Sequence, residues 1–294
     1  MSYYNEIKEQ LINNEVTKKA KDYSKNKSDL TTYYNVGKLL SEAGKHYGEG
    51  IIKEYSNSLK VEIDKKYDMT TLKRMRKFYW LIQKGAPMAH QLSWSHYVEM
   101  LPIDNINIVC YYIDISIHQN LTKRELREKI KNKEYERLDD KTKLKLINKE
   151  EPKVDDLIKN PIIIKNNSNY EVISEKVLQK LILEDIPSFL EELGTGFTFI
   201  KNEYKIKLGN TYNYIDLLLF NIEFNCYVVV ELKITELKKE HVGQIEIYMN
   251  YIDNHLKKIS HDKTIGLIVC KKNNEYIIKY STDKRISAKE YELV

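Results

Sequence analysis

The sequence is poor in cysteine, proline and glycine, with 3, 5 and 10 of these residues among 294. With 31% charged and 42% hydrophobic residues, this composition excludes collagen, low-complexity and wholly disordered chains. No apolar run approaches the roughly 18 residues of a membrane-spanning helix, and the amino-terminal MSYYNEIKEQ lacks the apolar stretch of a signal peptide. We therefore expect a cytoplasmic protein without a membrane partner. The widely spaced Cys110, Cys226 and Cys270 are predicted to be reduced core thiols.

Charge differs between the two halves of the chain. Residues 1–150 hold 28 Lys and Arg against 21 Asp and Glu, a net charge of +7, whereas residues 151–294 hold 20 against 22, a net charge of −2. A basic half followed by a slightly acidic half indicates an anion-binding module joined to one that gathers carboxylates. The alternative is a lysine-rich solvated surface in a protein of biased composition.

The amino-terminal part has the patterns of helices. In residues 70–83, apolar Leu72 and Phe78 share one face at helical spacing while basic residues fall on the other. This stretch is predicted to be a basic amphipathic helix. Thr122 and Glu125 have capping-box spacing, which predicts another helix start.

A charged, asparagine-rich stretch separates this part from the rest of the chain. We predict a helical, DNA-binding domain over residues 1–135, a partly ordered connector over 136–169 and an α/β domain over 170–294.

The α/β domain is predicted to carry a mixed sheet. Residues 174–193 are predicted to form a helix, or a kinked pair of helices broken at Pro187 and ended by Gly194. The segments that follow are predicted as three strands, a helix and two further strands, in the order 197–208, 212–220, 226–234, 236–256, TIGLIVCK and EYIIKYS.

Three charged residues interrupt two otherwise apolar strands: Asp216 in YIDLLLF, and Glu231 and Lys233 in VVVELKI. Burying such groups is unfavourable by several kcal/mol each unless they are paired or bound to metal. A hairpin between the strands would bring Asp216 beside Glu231, and strand alternation places Lys233 on the face of Glu231.

Two neighbouring carboxylates repel each other, and a shared proton or a divalent cation relieves the repulsion. Oxygen ligands without His or Cys favour Mg²⁺ or Mn²⁺ over zinc. A lysine beside them can hold an attacking water and offset charge that develops on phosphorus. The triplet therefore indicates phosphodiester cleavage. The simpler alternative is an ordinary Glu–Lys pair with Asp216 as its neighbour.

The spacing ID-x(14)-ELK resembles the PD-(D/E)XK, or restriction-endonuclease-like, nuclease motif. The flanking segments resemble the YhcG family of PD-(D/E)XK nuclease proteins, and they are, in chain order, MRKFYW, LSWSHYVEML, LTKRELREKI, LGTGFTF, YIDLLLF, CYVVVELKI, VGQIEIYMNYID and TIGLIVCK. The resemblance implies a mostly α, winged-helix-like amino-terminal domain and an α/β restriction-endonuclease-like carboxy-terminal domain with a mixed sheet.

The resemblance also implies roles for individual residues. It makes Asp216, Glu231, Lys233 and Gln244 catalytic, with Asp216 and Glu231 also binding Mg²⁺ or Mn²⁺. Gln244 would help to hold the water or the scissile phosphate. A solvent-facing helical glutamine is the alternative for Gln244.

A further acidic ligand follows from the same resemblance, and two lysines near the site are candidate phosphate contacts. Glu192 in EELG matches an additional metal ligand, with Glu191 as its competitor. After LGTGFTFI the sequence has Lys201 where the family commonly shows a Gly-Arg-Gln-like run, and Lys201 is expected to contact a phosphate instead. Lys238 is a second candidate contact, although a solvated helix start also explains it.

The helical domain is expected to bind the nucleic-acid backbone without recognising its sequence. The expected contacts are Arg74, Arg76, Lys77, Lys123, Arg124 and Arg127. A solvated helix face explains these charges equally simply. The aromatic residues Trp94, His96 and Tyr97 are predicted to be core residues and not a base-stacking platform.

These observations predict a metal-dependent nuclease that acts on DNA. A nuclease-fold protein without activity, serving as a DNA-binding or interaction subunit of a defence or mobile-element complex, is the alternative from another class. RNA or branched DNA is an alternative substrate. A homodimer is expected if both strands are cut, because each cut needs an active site.

Overall fold

A computed structural model describes residues 3–20, 25–151 and 153–294, and the chain divides into two compact units, Met1–Tyr135 and Glu136–Val294. No helix in these described ranges is both long and apolar enough to cross a membrane. Cys226 and Cys270 are buried free thiols.

The amino-terminal unit is built from seven helices over its described residues. They are α1 (Tyr3–Ala20), α2 (Lys25–Tyr47), α3 (Ile51–Glu62), α4 (Met69–Gln83), α5 (Trp94–Met100), α6 (Ile106–His118) and α7 (Lys123–Lys131). The predicted helical character is confirmed. A winged-helix fold is not confirmed, because no strand that could form a wing occurs among the residues described in this unit.

The basic amphipathic helix of the sequence is α4. The Asp68 carboxylate accepts the N–H of Thr71 at 2.7 Å and caps the helix, whereas Leu72 and Phe78 are fully buried. The predicted capping box starts α7, because Thr122 and Glu125 exchange hydrogen bonds.

Aromatic packing joins α4 and α5. The Phe78 ring lies 5.4 Å from Trp94 and 4.8 Å from Tyr97, both edge to face, and Tyr97 is fully buried. His96 Nδ1 accepts the N–H of Ser93. These three residues therefore belong to the core and the cap of α5, as the sequence predicts.

The carboxy-terminal unit is an α/β domain. Its helices are α8 (Asp140–Asn148), α9 (Glu175–Glu184), α10 (Ile186–Leu193), α11 (Lys239–His255) and α12 (Glu275–Lys279). Its strands are β1 (Ile162–Ile164), β2 (Phe197–Leu208), β3 (Thr211–Asn221), β4 (Cys226–Glu236), β5 (Ile265–Lys272) and β6 (Ile286–Leu293).

The six strands form one mixed sheet in the order β1-β6-β5-β4-β3-β2. The strands β2, β3 and β4 pair antiparallel, whereas β4, β5, β6 and β1 run parallel. One hydrophobic cluster joins the sheet to α9 and α10, and a second joins it to α11. The predicted mixed-sheet α/β fold is confirmed.

The segment predicted as a connector, residues 136–169, lies within the carboxy-terminal unit. β1 extends the sheet by pairing with β6, and Arg137 donates to the Pro161 carbonyl and to the Glu192 carboxylate of α10. The charged, asparagine-rich composition of the segment indicated a connector, and a short apolar run such as 162–164 has no periodicity that would assign it to a sheet.

The final strand differs from the prediction. EYIIKYS contains the short helix α12, whereas the strand that completes the sheet is Ile286–Leu293. A short apolar run does not distinguish a helix from a strand, and the real strand carries Lys289, Glu290 and Glu292.

We predict that Gly37→Ala destabilises the amino-terminal unit. A Cβ at Gly37 in α2 would lie 2.2 Å from the Met75 carbonyl oxygen of α4, so the two helix backbones would have to separate. We expect a loss of about 1–3 kcal/mol in the free energy of unfolding, measured by urea denaturation. Gly50→Ala is the matched control because a Cβ there meets nothing within 4 Å; equal losses in both variants would contradict the prediction.

Candidate active site

The strands β3 and β4 part at two carboxylates. Their ladder runs from the pair Asn221 and Cys226 to the pair Leu217 and Val230, and the next residues are Asp216 and Glu231. The Asp216 Oδ2 atom accepts the backbone N–H of Leu232 at 2.8 Å, so a side chain replaces the ladder hydrogen bond there. The hairpin thus brings the predicted acidic pair together.

The β2–β3 hairpin twists sharply at the level of Asp216. Leu217 packs in the cluster of α9 and α10, whereas Ile215 packs in the cluster of α11, although residues two apart in a regular strand share a face. Register places Glu203 opposite Asp216, and Glu203 has a φ of +46°, which is unusual for a non-glycine residue in a strand.

Glu231 is the most confined carboxylate of the site, with 1% of its surface exposed. Its Oε2 atom lies 3.4 Å from Lys233 Nζ, and its buried Oε1 atom has no hydrogen-bond partner among the described residues. Burial, and next the charge of Asp216, raise the pKa of Glu231 to about 8, although Lys233 opposes the shift.

Lys233 lies between two carboxylates. Only 9% of its surface is exposed, and its Nζ atom is also 3.8 Å from Glu175 Oε2. Glu175 is the first residue of α9, whose preceding residue Ser174 caps the helix by accepting the N–H of Val177. The sequence analysis missed Glu175; its only local signal was this capped helix start.

Helix α9 also holds the backbone of Asp216. Gln179 Nε2 donates to the Asp216 carbonyl oxygen at 3.0 Å. Burial raises the pKa of Asp216, the Leu232 N–H and Lys233 lower it, and the charges of Glu175 and Glu203 raise it further. The charges of Lys233, Glu175 and Glu203 therefore all act on Asp216, and the charge of Asp216 in turn acts on Glu231.

Helix α11 borders the same site. Gln244 Nε2 donates to the Tyr248 hydroxyl oxygen at 3.0 Å. Burial raises the pKa of Tyr248, and the charges of Glu231 and Asp216 contribute to that shift. Gln244 therefore contacts a tyrosine whose pKa responds to the acidic pair, and this Tyr248, which the sequence analysis missed, fixes the Gln244 amide.

His241 lies at the start of α11, where its Nδ1 atom accepts the N–H of Lys238 at 3.2 Å. Burial lowers the pKa of His241, and the charges of Lys233 and Lys238 lower it further. The exposed Lys238 is therefore close to the site and to the amino terminus of a helix. Lys201 is exposed on the edge strand β2.

The expectation that Glu192 joins the acidic pair is wrong. Its carboxylate is ion-paired with Arg137 and accepts the N–H of Ile163 on β1 at 2.9 Å. β1 lies three strand positions from β4, a separation of about 14 Å. The pair of Glu192 and Arg137 instead attaches the first residues of the carboxy-terminal unit to α10. Glu191, its competitor, uses its backbone carbonyl to accept from Lys159.

The six basic residues expected to contact phosphates in the amino-terminal unit fall into three groups. Arg76 is only 9% exposed, pairs with Glu49 and stacks on Trp80, so it does not fit a surface contact. Lys123 and Arg127 are exposed but share the carboxylate of Glu99. Of the six, the other three are exposed and form no ion pair with a described residue: Arg74, Lys77 and Arg124.

The donor set fits a hard divalent cation. Asp216 and Glu231 offer carboxylate oxygens, and Glu231 Oε1 is a buried acceptor that no donor among the described residues reaches. Within the described ranges, no three His, Cys, Asp or Glu side chains form a ready metal cage. Mg²⁺ typically uses one or two carboxylates together with water and substrate phosphate, so the acidic pair matches that mode.

Comparisons with known proteins agree with this architecture. Residues 155–294 match the family model described as the YhcG PDDEXK nuclease domain, and residues 6–137 match the DUF1016 N-terminal domain. The resemblance inferred from the sequence motifs is confirmed. A curated relative, the "Putative nuclease YhcG" of Escherichia coli (strain K12), is 22% identical over 283 residues, covering 81% of this chain and 76% of that protein.

Solved structures are similar to part of the chain. A repair endonuclease from Pyrococcus abyssi is 21% identical with a TM-score of 0.29, and an EndoMS–dsDNA complex is 19% identical with a TM-score of 0.29. Each match covers 43% of this chain and about half, 48%, of the other chain.

We predict that Glu231→Gln stabilises the metal-free protein in a pH-dependent manner. Between pH 4.5 and about 8 the folded protein keeps the Glu231 proton that the unfolded chain releases, so wild-type stability falls as pH rises through this window. The variant should exceed the wild-type Tm by at least about 2 °C at pH 8 in EDTA, and by little at pH 5.

Glu192→Gln is the matched control for this experiment. It weakens the ion pair with Arg137, so we expect a lower Tm at both pH values. A gain in Glu231→Gln that does not depend on pH would contradict the assignment of a raised pKa.

Proposed function

Residues 155–294 belong to the YhcG PDDEXK nuclease domain family and residues 6–137 to the DUF1016 N-terminal domain family, and from this premise we propose that the protein is a divalent-metal-dependent nuclease that hydrolyses phosphodiester bonds in DNA. The observation that carries the proposal is the buried Glu231 Oε1 beside Asp216, an atom that has no hydrogen-bond partner in the part of the chain that the structure describes. Such an arrangement is unfavourable in a purely structural role, because a buried acceptor loses its hydration without gaining a bond.

The acidic residues hold the cation in this proposal. Asp216 and Glu231 bind it directly, and Glu175 supplies a further carboxylate at the edge of the site. A bound Mg²⁺ or Mn²⁺ would stabilise the attacking oxygen and the charge that develops on the phosphate. Because two repelling carboxylates would then share a positive partner, the pKa of Glu231 would fall.

Lys233 and Gln244 position the nucleophile. The Lys233 ammonium group is held by Glu231 and Glu175, and its remaining N–H can donate to a water molecule or to a phosphate oxygen. The Gln244 amide is oriented by Tyr248, which leaves its carbonyl oxygen available to accept from the same water. Tyr248 is in this respect a positioning residue.

Nucleic-acid binding extends beyond the acidic pair. In this proposal the exposed Lys201 and Lys238 contact phosphates near the site, and the exposed Arg74, Lys77 and Arg124 of the amino-terminal unit bind the backbone without recognising sequence. The EndoMS structure similar to this chain is a complex with dsDNA. A cytoplasmic location and a homodimer that cuts both strands are part of the proposal.

We predict that the 294-residue chain cleaves plasmid DNA only with Mg²⁺ or Mn²⁺, and that Lys233→Ala lowers the rate at least about 100-fold. The reason is that the ammonium group is the site's only cation within 4 Å of Glu231 in the described part of the chain. Plasmid cleavage with and without EDTA measures both effects.

Lys289→Ala is the matched control, because Lys289 is another buried strand lysine and lies in β6. It should fold and cleave at the wild-type rate. Cleavage by Lys233→Ala at the wild-type rate would reject the mechanism. DNA binding without turnover with either metal would favour the inactive-subunit alternative, and faster cleavage of RNA than of DNA would reject the assigned substrate.

We predict that Arg74→Gln combined with Lys77→Gln weakens DNA binding equally for unrelated sequences. Two lost phosphate contacts should reduce the slope of log K against log salt by about 1.8. Fluorescence anisotropy at several salt concentrations measures this slope. Lys53→Gln, on α3, should leave it unchanged; an unchanged slope in the double variant would remove α4 from the interface.

A further inference from the structure

The β2–β3 hairpin extends beyond the sheet as a two-stranded arm, residues 204–215. β2 is the edge strand, and the pairing of β3 with β4 ends at Leu217, so no other strand of the described residues flanks the arm. Its turn contains Gly209 with a φ of +58°. Isolated two-stranded hairpins are marginally stable, so this arm needs support on at least one face.

One face of the arm provides that support. Ile206 and Ile215 are buried against the α11 cluster, and Tyr204 packs there as well. The opposite face, which we call the outer face, carries the cross-strand pairs Lys205–Tyr214 and Lys207–Tyr212.

The outer face presents two aromatic rings to solvent. Tyr212 is 55% exposed and Tyr214 is 51% exposed. Lys205 Nζ lies 3.8 Å from the centre of the Tyr212 ring, and both lysines of the face are exposed. Large exposed aromatic groups beside cations are typical of surfaces that bind single-stranded nucleic acid through stacking and phosphate contacts.

The arm leads directly into the acidic pair. Tyr214 is two residues from Asp216, which is about 7 Å along a strand, and Tyr212 is about 13 Å away. The two tyrosines are themselves about 7 Å apart along the strand, twice the rise of about 3.4 Å between stacked nucleotides. One base of a DNA strand can therefore stack on each tyrosine ring while the same DNA strand continues toward Asp216 and Glu231.

Resting on the nuclease function proposed above, we propose that the outer face of the arm binds an unpaired DNA strand next to the cleavage site. Tyr212 and Tyr214 stack on its bases, and Lys205 and Lys207 contact its phosphates. The bases of an intact duplex stack on one another, so the two tyrosine rings, which are fixed on the β-strand, can stack only on unpaired bases. The preferred substrate is consequently DNA with a single-stranded segment at the cut, such as a tailed or branched duplex.

Binding to labelled DNA in EDTA tests this proposal separately from cleavage. The 294-residue chain should bind a duplex with a single-stranded tail at least about fivefold more tightly than the blunt duplex, as measured by fluorescence anisotropy. Tyr212→Ala with Tyr214→Ala should weaken binding to the tailed duplex about tenfold or more and leave binding to the blunt duplex unchanged.

Three further variants distinguish stacking from folding. Tyr212→Phe with Tyr214→Phe should retain tail binding, and the corresponding Leu variants, which keep apolar volume without a ring, should lose it. Tyr280→Ala removes an even more exposed tyrosine outside the arm and should have no effect. Thermal unfolding of each variant identifies any that fail to fold, and the Leu pair replaces the Ala pair in that case.

The possible results separate the two proposals. Equal tail binding by wild type and by the Ala and Leu pairs would overturn the role of the arm, and so would equal losses for tailed and blunt DNA. Capture of a second copy of the chain by the outer face, in place of DNA, would overturn it as well. If the wild-type protein never cleaves DNA but the Ala and Leu pairs lose the preference for tailed DNA, the binding role of the arm would be supported and the nuclease function rejected.

Discussion

The arrangement of the site depends on the desolvation of Glu231 beside Asp216. A carboxylate with 1% exposure, a like charge on the neighbouring strand and one oxygen without a partner is unfavourable in the ionised form, and a single lysine at 3.4 Å offsets only part of this. Parting the strands at Leu217 leaves room for the Asp216 side chain, and α9 and α11 close the site on either side of the sheet. The surrounding apolar packing therefore holds two mutually repelling carboxylates together, and a bound cation would relieve that repulsion.

Much of this could be predicted from sequence because charges inside apolar strands are conspicuous. Asp216, Glu231 and Lys233 were found in this way, and the hairpin that joins them followed from strand length and spacing. Glu175 was missed, and Glu192 was chosen wrongly, because both are helix-terminal acids whose position depends on tertiary packing. Arg76 was misplaced for a similar reason: its residue type indicated a solvent-facing position, but ion pairing with Glu49 and stacking on Trp80 allow it to be buried.

The hairpin twist shows how backbone conformation positions a side chain. Glu203 adopts a positive φ directly across from Asp216, and the strand faces exchange at that level, so that Ile215 packs toward α11 and Leu217 toward α9. Sequence patterns assume regular alternation and cannot reveal such a change. Strained backbone residues often lie near functional groups because the surrounding structure must hold them in place.

The pairing of β1 with β6 determines where this chain can be shortened. The three residues Ile162–Ile164 cover the outer edge of β6, and Arg137 ties the preceding segment to α10. A fragment that begins at residue 170 would expose the hydrogen-bonding groups of β6, and uncovered edges of this kind promote intermolecular strand pairing and aggregation. An isolated catalytic fragment that remains dispersed at high concentration would have to begin before Arg137.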